Sequence, residues 1–273
     1  MTLDSGERTR LARVVVEAAL GAGDIVRKAA QTAATLVWEN KGTADFVSEV
    51  DRNAEHYILS VLGKEFPGAM VIGEEFSPDA ESGSGLAFII DPLDGTTNFL
   101  HSFPHYAVSI GAAYDGELLA AAVLNVQTRE LFTATAGGGA TLNGEPIRVS
   151  AETVPERALI GTGFPFKQLE HLPQFLRQFE LVTRRTAGIR RAGSAALDLA
   201  DTACGRFDAF WELGLAPWDV AAGILLIREA GGIVTDLDGA PAAPGFGAYV
   251  AGGPDMHAWL LQAVNDVSGT RDH

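Results

Sequence analysis

Three apolar residues, Phe88–Ile89–Ile90, run directly into Asp91–Pro92–Leu93–Asp94–Gly95–Thr96–Thr97–Asn98–Phe99. The spacing predicts a buried strand that delivers two aspartates, three residues apart, at its C-terminal end. Like charges crowded at the edge of a buried sheet are costly unless a cation sits between them. Pro-x-Asp-Gly is also good turn chemistry, in which either aspartate bonds local backbone amides, so the run by itself admits a plain surface turn. Upstream, Val71–Ile72–Gly73 ends in Glu74–Glu75, which alone reads equally as a solvated acidic loop. A further acid, Asp219, stands after Pro217–Trp218 and before the apolar run Val220–Ile227, where a helix N-cap is an ordinary explanation.

Around these acids the pattern is helix-flanked sheet. Leu11, Val14, Val15, Ala18, Ala22, Ile25, Val26 and Ala29 recur at intervals of three and four, the apolar face of a packing helix. A second helix is expected from about Asp51 to Phe66, stopped by Pro67–Gly68, with Asp51 as a candidate N-cap. The stretches starting at Ala107, Glu117 and Glu130 read as successive strands of a mostly antiparallel sheet, and Asn143–Gly144 as a tight turn. From Ala151 the pattern restarts: a strand, a helix through residues 171–184, a helix near 195–205, a strand over 207–213, the helix from Asp219 to Gly231–Gly232, a strand near 233 and a last helix near Met256. The chain thus divides into residues 1–150, carrying Glu74 and the Asp91–Phe99 run, and 151–273, carrying Glu212 and Asp219. No repeat or long linker separates them, so they are expected to pack over one interface.

Charge and cysteine usage exclude several functions. The formal charge is −15, against a phosphate-backbone-binding surface that needs clustered Lys and Arg; nucleic acid is not expected as the main ligand. The longest aliphatic run falls far short of the ~20 residues of a membrane span, and no membrane association is expected. Cys204 is the single cysteine, so neither an internal disulfide nor a thiolate zinc site can form, and a reducing cytoplasm is the expected location.

Gly73–Glu74–Glu75, the stretch Asp91–Phe99 and Trp218–Asp219–Val220–Ala221–Ala222–Gly223 resemble, in order, the three metal-binding motifs of the inositol monophosphatase family. Lys41, Asp45 and Asp51 upstream, Gly193–Ser194–Ala195–Ala196 and Trp211–Glu212–Leu213–Gly214 extend the similarity over nearly the whole chain. The nine-residue run and the WDVAAG run are specific; Gly-Glu-Glu alone is not. The resemblance implies an α/β fold of the α+β type, a layered αβαβα sandwich with two sheet-containing subdomains. It implies a magnesium-dependent, lithium-sensitive hydrolase of small phosphomonoesters, inositol monophosphates first, acting as a homodimer. Related sugar, nucleotide and histidinol phosphatases, fructose-1,6-bisphosphatase included, and a regulatory scaffold retaining the fold stay open as alternatives.

By the same resemblance Asp91 bridges two ions, Glu74 and the carbonyl of Leu93 complete the first, Asp94 with Asp219 hold the second, and Glu74 touches a third, weaker one. Thr96, hydrogen-bonded to Asp51, orients the attacking water; the amides of Gly95 and Thr96 receive phosphate oxygens. Glu212 accepts from substrate hydroxyls with Asp94 and the backbone near Ser194 and Ala195, and Lys41 is a charge near the attacking water. Thr96 as a capping hydroxyl and Lys41 as a surface residue are the bland alternatives. A charge argument agrees: a phosphomonoester carries about two negative charges and cannot enter a cluster of Glu74, Asp91, Asp94 and Asp219 unless cations reverse the field. Oxygen donors without His or Cys favour Mg²⁺ or Mn²⁺ over zinc. Arg190 and Arg191 could serve a second phosphate or be surface charge, and His101 and His105 are assigned no role.

Overall fold

The computed structural model describes residues 4–33, 42–77, 83–166 and 168–266. Two long helices, α1 (Ser5–Ala33) and α2 (Gly42–Glu65), lie together on one face of a seven-stranded sheet. Its strands run in chain order: β1 (Met70–Gly73), β2 (Leu86–Asp94), β3 (Ala107–Tyr114), β4 (Glu117–Asn125), β5 (Leu131–Thr135), β6 (Gly139–Leu142) and β7 (Glu145–Pro146). β1 and β2 pair in parallel and the rest antiparallel. Sequential antiparallel strands need only short turns; the one between β6 and β7 is Asn143–Gly144, both at positive φ (51° and 85°), as that dipeptide favours.

Period-two alternation assigns the faces. Phe88, Ile90, Val108, Ile110, Ala120 and Ala122 point into the core shared with Leu11, Val15 and Ile58. Ile89, Ala121, Val123 and Phe132 point the other way, onto α5 (Ala195–Ala203) and α6 (Pro217–Glu229). These two helices are the filling of the molecule. Ile224, Leu225, Leu226 and Ile227 are all buried, because a helix between two sheets has no solvent side.

Beyond α5 and α6 lies a five-stranded sheet ordered β11-β12-β10-β8-β9, where β8 is Leu159–Thr162, β9 Gly188–Arg190, β10 Ala209–Leu215, β11 Ile233–Thr235 and β12 Gly247–Gly252. Phe210, Tyr249 and Ala251 face the central helices, while Ala209, Trp211 and Val250 face the outer pair, α4 (Leu172–Arg185) and α7 (Pro254–Asp266). The layers are therefore helix, sheet, helix, sheet, helix, as expected.

Two expectations change. Helix α2 begins at Gly42, well before Asp51, so Asp51 is a buried interior residue of the helix and not its N-cap. No Gly or Pro interrupts residues 43–62, and nothing therefore stops the helix from extending backwards. Strand β12 was not expected at all: its inner and outer faces are both buried, which removes the polar alternation that marks a half-exposed strand.

Candidate active site

Residues three apart on a regular strand point to opposite faces. In β2 the register runs Asp91↔Ser109 and then Asp94↔Ala107, three steps on one strand against two on its neighbour. That one-residue bulge restores Asp94 to the side of Asp91, facing α5 and α6. Pro92, with no N–H for the ladder, sits in it. Gly95 then turns the chain in the left-handed region (φ 95°, ψ 36°) into the short helix α3 (Thr96–Leu100). A Cβ there would lie 3.0 Å from the carbonyl oxygen of His105, so glycine answers both a conformation and a close approach.

Each aspartate is held by backbone or hydroxyl donors. Asp91, 1% exposed, accepts from the amide of Leu93 at 2.9 Å. Asp94 accepts from the Ser194 hydroxyl at 2.6 Å and the Ala196 amide at 2.8 Å, both at the start of α5. Asp219, in the first turn of α6, accepts from the amide of Ala216 at 2.7 Å; it is the inner partner of the cap, and Ala216 is the N-cap residue. One carboxylate oxygen from each of Asp91, Asp94 and Asp219 lies within 4.8 Å of the others. Two helix N-termini thus face two strand-end acids.

Glu74, in the turn after β1, lines the same cavity of about 400 Å³, as do Leu93, Gly95, Thr96, Ser194, Ala195 and Glu212. Burial raises Asp91 well above the usual carboxylate range, and the charges of Glu74, Asp94 and Asp219 push it further. Burial raises Asp94 as well, against the pull of its bonds from Ser194 and Ala196. Clustered oxygen-only donors, of which Asp91 and Asp94 resist ionisation, fit a hard divalent cation, whose charge would remove the conflict.

Other expected residues fall as follows. The Thr96 hydroxyl donates to the carbonyl of Leu93 at 3.1 Å. The expected Thr96–Asp51 hydrogen bond is therefore corrected: Asp51 is outside the cavity lining, and its buried Oδ1 has no hydrogen-bond partner among the described residues. Burial first, then the charges of Glu75, Glu74 and Glu55, push it up to about 8, with Arg52 opposing. Glu212 projects from β10 over Gly163, where a Cβ would come within 1.7 Å of its Oε1. Burial, then Asp198, Asp219 and Asp94, raise it well above the usual range, with Arg191 opposing. Ser194 is the N-cap of α5, and Lys41 lies outside the described residues.

Residues 7–268 match the Inositol monophosphatase family. The chain belongs to that family. A protein of Pseudomonas aeruginosa named Nus factor SuhB is 45% identical, the match covering 92% of this chain and 94% of that one. An inositol-1-monophosphatase of Rhizobium meliloti is 44% identical over 94% and 97% of the two chains. The solved inositol monophosphatase of Anabaena superposes with a TM-score of 0.83 at 36% identity, covering 94% and 95%.

As a member of the inositol monophosphatase family, the protein is a phosphomonoesterase; the family is metal-dependent, and the cluster of Asp91, Asp94 and Asp219 could bind a metal ion. No helix among the described residues is long and apolar enough to cross a membrane. The site also contains residues that sequence reasoning passed over. Asp198 on α5 is 1% exposed, lines the cavity and lies 3.7 Å from Nε2 of His105. It stands between Leu197 and Leu199 on a helix that also carries Asp201 and Thr202, so the local sequence does not single it out. Glu55 on α2 is solvent-inaccessible and accepts from the amides of Glu75 (3.1 Å) and Phe76 (3.3 Å); its signal was the four-residue spacing from Asp51, which puts both on one helix face.

Proposed function

We propose that the protein hydrolyses phosphomonoesters of a neutral polyol, inositol monophosphates first, to the free alcohol and inorganic phosphate. Magnesium is the ion and manganese its substitute. The observation that carries this reading is the convergence of Asp91, Asp94 and Asp219 oxygens within 4.8 Å in a cavity that Glu74, the start of α3 and Glu212 also line. Such a cluster repels a dianionic ester as long as its charge stands uncompensated.

Glu74, Asp91, Asp94 and Asp219, with the carbonyl of Leu93, would hold two or three magnesium ions, which when bound supply the charge that admits the ester and stabilises both attacking and departing oxygens. The chain's own groups do the rest. Backbone amides of Gly95 and Thr96 donate to phosphate oxygens. The hydroxyl of Thr96, its proton committed to Leu93, keeps lone pairs that accept from the attacking water and fix its line of approach. Leu93 has two carbonyl lone pairs, so that bond leaves one for a cation. Glu74, with Asp51 behind it, takes up the proton that the water loses, and Lys41 is assigned as a charge near that water.

Glu212, Asp94 and the backbone at Ser194 and Ala195 bind the alcohol. Arg191 supports a neutral polyol over a bisphosphate: its guanidinium lies over the rings of Phe164 and Phe166, and its charge already serves Asp198 and Glu212. A division near residue 150 into 1–150 and 151–273 belongs to the same proposal, supported by the chain order of the two sheets. So do a homodimer, to be checked by sedimentation, and inhibition by lithium.

Phosphate release from inositol 1-phosphate, with and without Mg²⁺, tests the reading, alongside fructose 1,6-bisphosphate, histidinol phosphate and a nucleotide 3′-phosphate. Metal-dependent release, highest catalytic efficiency on the inositol ester and loss in Asp94→Asn are expected. A regulatory scaffold is the second reading, favoured by the 45% identity to a relative named a Nus factor. Absence of metal-dependent release from every ester would select it, whereas an active wild type with an inactive Asp94→Asn excludes a purely noncatalytic role.

A further inference from the structure

The turn that carries Glu74 is held from behind by a buried acid that has no cationic partner among the described residues. Glu55 is 0% exposed, and the amides of Glu75 and Phe76 donate to its Oε2 and Oε1 at 3.1 and 3.3 Å. Those two bonds join α2 to the turn after β1. Gly73 makes room for the contact: a Cβ on it would lie 2.5 Å from Glu55 Oε1 and 3.1 Å from Cγ1 of Ile90. A solvent-inaccessible carboxylate is a poor choice for packing alone, since an isosteric apolar residue avoids the desolvation. What the carboxylate has that an apolar residue lacks is two strong acceptors aimed at successive backbone N–H groups. Those groups belong to the two residues that follow Glu74.

We infer that Glu55 is a positioning residue that fixes the backbone of the Glu74–Phe76 turn, so that the Glu74 carboxylate is presented to the cavity beside Asp91 before any cation arrives. Glu55 does not line the cavity, so it is not placed to meet substrate or ion. It acts through the turn, as an outer partner that orients a ligand residue. The inference rests on the proposed role of Glu74 as a cation ligand and names a part of that site which the reading itself does not require.

Two variants test it. Glu55→Gln keeps the side-chain shape but replaces one acceptor by an amide NH₂ that faces a backbone N–H. Gly73→Ala leaves Glu55 in place and pushes its Oε1 away with a new Cβ, without asking the backbone for a positive φ. The first readout is amide hydrogen exchange at Glu75 and Phe76 in metal-free protein; the second is Mg²⁺ binding by calorimetry, without substrate. Both variants should exchange faster at those two amides, with protection kept in β3 and β4, and should bind Mg²⁺ about tenfold more weakly. The kcat at saturating Mg²⁺ should recover more than the activity at low Mg²⁺.

Wild-type exchange and wild-type Mg²⁺ affinity in both variants would overturn the inference. So would faster exchange with unchanged affinity, or a uniform loss of protection across the sheet, because either makes the contact structural only. Failure of the wild type itself to bind Mg²⁺ would instead strike the underlying reading of the site. Should Glu55→Gln not fold, Gly73→Ala carries the decision.

Discussion

Asp91 is the residue on which the site turns. It is buried, crowded by Glu74, Asp94 and Asp219, and pushed toward its protonated form by all of them. Replacing it with Asn removes a ligand and relieves the crowding together. Asp91→Asn is therefore expected to lose activity by at least about 100-fold, a large share of what ion-assisted displacement supplies. Its thermal midpoint in EDTA should match or exceed the wild type, as scanning calorimetry beside a phosphate-release assay would show. A fall of many degrees would contradict this. Gly95→Ala should behave in the opposite sense: an L residue at φ 95° costs roughly 1–2 kcal/mol, and the His105 carbonyl 3.0 Å away adds to it. Denaturant midpoints would register that loss with or without metal. Glu212→Gln, which keeps hydrogen-bonding shape but not charge, should raise KM for the inositol ester more than it lowers kcat. A change confined to kcat would remove Glu212 from substrate binding. At this scale the acids themselves were legible from the three motifs in order, since each alone also reads as a turn, a loop or a cap. Asp198 was not, since nothing local distinguishes an acid that lines a cavity from one on a helix's wet face.

Among elements, the bulge in β2 and the N-terminus of α5 depend on each other. The bulge turns Asp94 toward α5, and Ser194 with the Ala196 amide receives it. Ser194 also caps its helix, accepting from the Leu197 amide. Ser194→Ala removes both functions; loss of a cap costs about 1 kcal/mol, and the freed Asp94 should weaken Mg²⁺ binding as well. A calorimetric titration showing normal affinity with reduced stability would limit Ser194 to capping. Strands β2 to β5 and helices α4 to α7 could be read from period and punctuation. The start of α2 could not, for the chain before Asp51 carries no stop signal. The bulge was also illegible: strict alternation puts Asp91 and Asp94 on opposite faces, and only the pairing with β3 reveals the extra residue. The Thr96–Asp51 bond failed for a related reason, since the Leu93 carbonyl, three residues back, meets the hydroxyl first.

For the whole molecule, the central fact is that the filling layer α5–α6 brings acids from one sheet against acids on helices and on the other sheet. The ionisation of these groups is consequently linked to folding. Asp51, Asp91, Asp94, Asp198 and Glu212 all bind protons more tightly when folded than an exposed carboxylate does. Where the folded state holds more protons than the unfolded, stability falls as pH rises. In EDTA the thermal midpoint should therefore drop between about pH 5 and about pH 8, an interval that takes in the loss of the Asp51 proton at about 8. Saturating Mg²⁺ should flatten that slope, because a bound cation favours the ionised form. A metal-free midpoint that rises over the same interval would show that these carboxylates are not held at a cost. The αβαβα layering was legible from the family motifs, and its physical basis is the apolar run of α6, buried on every side.

Anomalous diffraction from crystals equilibrated with Mn²⁺ tests the account most directly. Peaks between the carboxylates of Asp91, Asp94 and Asp219, with Glu74 in reach, are the predicted result. Peaks confined to surface acids, with that cluster empty in protein that still releases phosphate, would contradict it.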